Sequence, residues 1–242
     1  MVDDNRDEEY PYTGVGEYVA YRGAAYDAQE MLVRGGAFYE HMNRRRSVRQ
    51  FSDRPVSRKA IEYAVMAAST APSGAHFQPW TFVITEAPAV KAAIRVAAER
   101  EERKNYIEGR MPEDWQRDIQ RLGTGWRKPY LETAPWVVVL FEQRYREIAD
   151  GERGKNYYVK ESVGIAAGIF ITALHTMGLA TLTHTPSPMA FLSVLLGSPR
   201  SERPFVLFPI GYPAEDAVVP DLERKHINDV MLEVTDLPAD RG

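Results

Sequence analysis

Three short runs of β-branched and aromatic residues stand out in a chain otherwise patterned for helices: residues 80–85 (WTFVIT), 136–142 (WVVVLFE) and 205–210 (FVLFPI). Their length and residue types predict strands, the third in spite of Pro209. Near-continuous apolarity predicts that all three are buried on both faces. Residues 159–177 (VKESVGIAAGIFITALHTM) are apolar on almost every side past the first turn, which predicts a central helix. Its Gly164, Ala166, Ala167 and Gly168 leave low relief on which another backbone can lie, as in a helix packed against a partner chain.

The remaining pattern is more ordinary. A broken apolar stripe of Met31, Leu32, Phe38, Tyr39 and Met42 predicts a helix in AQEMLVRGGAFYEHMNRRR, despite Gly35 and Gly36 in its middle. Ser57 is the expected N-cap of a short helix in RKAIEYAVMAAS. APSGAHFQPW reads as a loop, because small residues and two prolines defeat helix and strand alike. ATLTHTP reads as a short strand running into a loop, and PMAFLSVLLG as a helix closed by Gly197. The tail from Gly211 has few core residues and is expected to wrap over a surface.

Between the first two strands lies a long, highly charged segment, AVKAAIRVAAEREERKNYIEGRMPEDWQRDIQRLGTGWRKPYL. Its first half is Ala-rich helix and its second half has too little apolar surface for a core, so residues 98–130 are expected to form a helical lid. One large domain over residues 26–242 is expected, after an acidic head at residues 1–25 that is too polar to pack.

Composition narrows the function. With 44% hydrophobic and 26% charged residues and a formal net charge of -4, the chain has no global positive field for a polyanion. No nucleic-acid partner is expected. Without cysteine there is no thiolate nucleophile, iron–sulfur ligation or disulfide, so any redox chemistry must reside on a cofactor. The acidic start is unlike a secretory signal, and no apolar run has the ~18 residues that a membrane crossing needs. A cytoplasmic protein without membrane contact is the expectation.

Local signatures for a P-loop, a dinucleotide-binding turn or a zinc protease are absent, and the five histidines stand at spacings that do not suit a metal. What remains is RRRSVRQF, in which Arg44, Arg45, Arg46 and Arg49 crowd around Ser47. Such a run can be a solvated helix end, a nucleic-acid grip or a socket for one small dianion.

RRRSVRQF, then TAPSGAHFQPW, SVGIAAGIFITALHTMGL and GYP…VPDLERK, in this order, resemble the nitroreductase-like flavoprotein superfamily over roughly residues 38–232. More narrowly, they resemble its deiodinase branch, flavin mononucleotide (FMN) enzymes that remove halide from halotyrosines. The resemblance implies an α+β nitroreductase-like fold, with a central mixed β-sheet surrounded by helices in an intertwined homodimer. It implies that Arg45, Arg46, Ser47, Arg49 and Arg224 hold FMN, with Ser73, Gly74, Thr183, His184 and Thr185 beside the flavin.

Ala75 matches the position whose backbone N–H meets the substrate phenolate. Thr185 matches the hydroxyl donor to flavin N5, which favours one-electron steps. Both are the expected catalytic positions. Glu102, Tyr106 and Lys128 match the lid residues that bind the ammonium and carboxylate of the amino-acid substrate. His184 departs from the family's threonine, and one extra residue lies between Tyr106 and Trp115. An electron-donating reductase is the further implied partner. Three other functions share many of these features: a general nitro or quinone reductase, a flavin-cleaving enzyme of cobalamin synthesis, and a non-catalytic binding protein.

Overall fold

Strand β2 (Trp136–Gln143) is buried at seven of its eight positions, in a computed structural model that describes residues 18–148 and 151–236. A strand so placed needs apolar cover on both faces, and the period of two along it sorts that cover into two clusters. Trp136, Val138 and Leu140 belong to one cluster, Val137, Val139 and Phe141 to the other.

The sheet runs β1 (Trp80–Thr85), β2, β6 (Glu202–Gly211), β5 (Ala180–Thr181) in spatial order. Val139 lies opposite Val83 on one side and Leu207 on the other, both antiparallel. The parallel component of this mixed sheet is the bridge between Ser47 and Thr181. On one face pack α2 (Arg58–Ala68) and α6 (Val159–Thr176), which contribute Ile61, Ala64, Phe170 and Leu174. On the other pack α3 (Pro88–Tyr106), α5 (Tyr130–Thr133) and α7 (Ala190–Leu195), with Ile94, Leu131 and Leu192.

Local chemistry starts and ties these helices. Ser57 Oγ accepts from the Lys59 N–H at 3.2 Å, the N-cap that the sequence predicts. Lys91 on α3 is buried, and its ammonium donates to the carbonyls of Ala134 at 2.7 Å and Glu132 at 3.0 Å. Those are carbonyls at the exit of the single-turn helix α5, and the bonds fix α3 against the entry to β2. The charged second half of the excursion forms α4 (Glu113–Gln120), which has no buried residue.

Some expectations need correction. β1 is the edge of the sheet, and Trp80 is its only buried residue, because only β2 covers it on the hydrogen-bonding side. The hairpin β3 (Tyr145–Glu147) and β4 (Arg153–Lys155) was not predicted, since these short polar stretches carry no apolar alternation. The small residues of α6 divide: Ala166 and Ala167 are buried within this chain, whereas a Cβ on Gly164 or Gly168 would meet nothing within 4 Å.

By backbone contacts the chain divides into residues 1–40 and 41–242. In the first, much of α1 (Ala28–Asn43) leaves Met31, Leu32, Phe38 and Tyr39 exposed. Residues 1–17 of the expected acidic head lie outside the described residues. Among the described residues no helix is long and apolar enough to cross a membrane.

Phe170, fully buried between Phe82 and Phe208, tests the two-sided packing. Phe170→Ala is expected to cost about 3–5 kcal/mol, read as a lower midpoint in urea unfolding followed by tryptophan fluorescence.

Candidate active site

Beyond Asn43 the arginine segment leaves α1 as extended chain and is pinned on both sides. Val48 N–H donates to the Thr181 carbonyl at 3.3 Å, and Ala214 N–H to the Gln50 carbonyl at 3.0 Å. Arg46 donates to the Pro220 carbonyl. Arg224 donates to Asn43 Oδ1 at 2.8 Å and to the Arg45 carbonyl at 3.0 Å. Arg45, Arg46, Ser47, Arg49 and Arg224 thereby line one cavity of about 290 Å³.

Among the described residues, none of those arginines is ion-paired with a carboxylate. Burial, then Arg224 and Arg46, pushes the Arg45 guanidinium below its ordinary value. Half-buried positive charge at Arg45, Arg46 and Arg49 without a paired carboxylate suits a site that completes itself with an anion. Arg49 Nε is buried without a hydrogen-bond partner. These residues fit a phosphate-bearing cofactor.

Arg49 also lines a second chamber, of about 220 Å³, together with Glu102, Tyr106, Lys128, Thr183, His184 and Thr185. Glu102 and Tyr106 come from the last turns of α3, one turn apart on the same face. Lys128 comes from the segment before α5, where its N–H donates to Glu99 Oε1 at 2.7 Å. Lys128 Nζ lies 3.5 Å from Glu102 Oε2, donates to Thr124 Oγ1 at 3.3 Å, and stands 5.5 Å above the Tyr106 ring.

Both ionic groups are buried, at 6% and 3% exposure. Burial raises the Glu102 carboxyl above its ordinary value, with Lys128 pulling it back. Burial lowers the Lys128 ammonium, with Glu102 opposing. At 3.5 Å the two groups are each other's counterion.

The loop after β5 alternates. Thr183 and Thr185 lie on its exposed side, while His184 turns inward and is buried edge-on to Tyr130 at 6.0 Å. Burial, then the cations of Lys128 and Arg49, pushes His184 down to about 3, so its imidazole is neutral. Its Nε2 has no hydrogen-bond partner.

Ser73, Gly74 and Ala75 are elsewhere and line neither cavity. Gly74 N–H donates to Ser162 Oγ on α6 at 3.4 Å, and a Cβ there would stand 2.6 Å from the Tyr157 carbonyl oxygen. Ala75 is exposed with φ 50°, a left-handed conformation that a non-glycine residue rarely adopts. Sequence reasoning missed Tyr130, Thr124 and the lid pair Trp115 and Ile119, all of which line the second chamber. Two apolar residues one turn apart on the otherwise charged α4 were the available signal.

Comparison with known proteins identifies the family of this chain. The nitroreductase family model matches residues 42–212. An iodotyrosine deiodinase of Haliscomenobacter hydrossis is 53% identical over 89% of this chain and 96% of its own. Iodotyrosine deiodinase 1 of Mus musculus is 44% identical over 90% of this chain and 76% of its own. Among solved structures, an oxidized iodotyrosine deiodinase bound to FMN and 3-iodo-L-tyrosine superposes with a TM-score of 0.68 at 28% identity, covering 83% of this chain and all of that one. This chain belongs to the nitroreductase family, in its iodotyrosine deiodinase branch.

Proposed function

We propose that this protein is an FMN-dependent reductive dehalogenase that converts 3-iodotyrosine to tyrosine and iodide. The observation that carries the reading is the buried Glu102–Lys128 pair, with Tyr106 beside it, in the chamber that Arg49 joins to the arginine cavity. A general nitro or quinone reductase has no use for a carboxylate and an ammonium buried together. A zwitterionic substrate uses both.

FMN, when bound, would supply the reducing electrons. Arg45, Arg46, Ser47, Arg49 and Arg224 hold its phosphate, and their unpaired charge becomes favourable when the dianion arrives. Glu102 then receives the substrate ammonium and Lys128 its carboxylate, so each buried charge exchanges one partner for another. Tyr106 and Thr124 keep hydrogen-bonding capacity beside the exchanged pair. Thr185, next to neutral His184, offers a hydroxyl donor to the flavin edge.

The overall change takes two electrons and one proton. The carbon–halogen bond breaks, halide leaves with its electron pair, and a proton takes its place on carbon. A separate reductase must return the electrons.

The phenolate end requires the backbone N–H of Ala75, a residue outside both cavities of its own chain. We assign that contact, with Ser73 and Gly74, to a second copy in a homodimer that packs along the open Gly164 and Gly168 face of α6. Ser162, which holds the Gly74 N–H, lies at the start of the same helix.

Anaerobic protein reduced with dithionite is expected to release iodide from 3-iodotyrosine, and Lys128→Ala to lower kcat/KM by about 100-fold. Bound flavin that reduces nitroaromatics but releases no iodide would make the general reductase the better description. Because Glu102 is raised, substrate affinity should begin to fall at a pH above 4.5, the ordinary value for a glutamate, as protonation removes the ammonium's counterion. Titrating 3-iodotyrosine by flavin fluorescence should show this additional fall in the native protein and not in Glu102→Gln, on top of the loss common to both as the ligand's phenol takes up its proton. Mixed dimers of Arg49→Ala and Ala75→Pro chains, each inactive alone, should regain about a quarter of native activity, since a two-fold dimer with shared sites keeps one site intact in half of the molecules. No recovery would mean that each chain builds its site alone.

A further inference from the structure

The end of α3 and the loop that bears Thr185 are joined at the wall of the second chamber, which Asn105 and Ser187 both line. Past Tyr106 the chain folds back on the helix, with Arg110 N–H donating to the Lys104 carbonyl at 3.2 Å and Met111 N–H to the Asn105 carbonyl at 3.3 Å. The Arg110 guanidinium is then spent on four acceptors: Asn105 Oδ1 at 2.6 Å, Glu101 Oε2 at 3.0 Å, the Glu101 carbonyl at 2.9 Å and the Ser187 carbonyl at 2.5 Å. Asn105 Nδ2 donates to the same Ser187 carbonyl at 3.1 Å. Glu101 and Asn105 are buried, and Lys104 closes the network on Glu101 Oε1 at 2.9 Å.

The position of this network gives it a role. Glu101 and Asn105 flank Glu102 and precede Tyr106 on α3, while Ser187 follows Thr185 by two residues. One donor from the end of α3, Asn105, and one from the segment folded back on it, Arg110, therefore converge on one carbonyl of the Thr185 loop. Arg110 itself lines neither cavity, and it holds Asn105 and Ser187, which line the second chamber, from behind. Charge-assisted bonds to a carboxylate and a carbonyl make such a join stiff. A shift at Glu102 cannot be absorbed inside α3 without moving Ser187 or breaking these bonds.

We propose that Arg110, with Asn105, is a positioning residue that couples occupancy of the Glu102–Tyr106 site to the placement of Thr185. This rests on the assignment of that chamber to a halotyrosine. When the substrate's ammonium takes Glu102 from Lys128, the adjustment of the helix end passes through the Ser187 carbonyl to the loop. The chemical step then runs with Thr185 in its working position only when the lid site is filled.

The test is hydrogen exchange of the FMN-loaded native protein and Arg110→Gln, with and without 3-iodotyrosine, beside flavin retention, ligand Kd and kcat. Without ligand, Arg110→Gln is expected to speed exchange about tenfold in residues 182–190 as well as in 98–111. With ligand, both segments of the native protein gain protection, whereas in Arg110→Gln only 98–111 does. Flavin retention stays native, Kd changes less than about threefold, and kcat falls about tenfold. Arg110→Lys, able to reach one acceptor group but not all, recovers part of the protection.

Exchange in 182–190 that is native in Arg110→Gln, free or ligand-bound, overturns the proposal. So does loss of flavin in both Arg110 variants, which would make the contact a plain support of the fold. A native protein that releases no iodide while Arg110→Gln loosens both segments together refutes the substrate assignment and leaves the coupling of the two segments standing.

Discussion

The burial of β2 on both faces is the constraint from which the site follows. A strand whose successive side chains must all leave water forces two layers of helix onto the sheet. α3 and α5 fall on the same face as a result, and Lys91 fastens one to the other. That shared face brings Glu102, near the end of α3, to Lys128, just before α5. The loop that holds His184 is tied to the same layer by paired backbone bonds with Leu207 of β6, at 2.8 and 3.0 Å. The chamber is the space left where these three segments meet.

Charge is handled in two contrasting ways within that space. The arginine cavity keeps its guanidiniums without carboxylate partners, a state that an arriving dianion relieves. The neighbouring chamber keeps one positive and one negative group as mutual counterions, because either alone would stand as an uncompensated charge in a dry interior. The first arrangement suits an anion, the second a molecule with both signs. His184, held neutral between Lys128 and Arg49, adds hydrogen-bonding capacity without a third charge. Burial is the main cause of that neutrality, and the Lys128 and Arg49 cations add to it.

Much of the architecture was legible because it depends on local pattern. Strands 80–85 and 136–142, the Ser57 cap, the Ala-rich half of the lid and the all-round apolar helix α6 each carry their signal within a few turns of chain. The exposure of β1 was not legible, since its residues suit a covered strand and only neighbour order reveals an edge. The short hairpin of β3 and β4 escaped for the opposite reason, having no apolar pattern at all. The site residues were legible mainly through resemblance. As isolated letters, a glutamate, a tyrosine and a lysine in a charged segment look like solvated surface.

Composition alone dictated that any redox chemistry must come from a bound group, whereas the arginine run stayed open among a solvated end, a nucleic-acid grip and an anion socket until the resemblance favoured the socket. Only the folded chain decided which of these features share a chamber. It buried Glu102 against Lys128, turned His184 inward between its two threonines, joined Arg110 to Ser187, and left Ala75 outside the cavities that it was expected to complete. The physical reason is separation: propensity and periodicity act over a few residues, whereas these pairings depend on how helices from distant parts of the chain register on a common sheet.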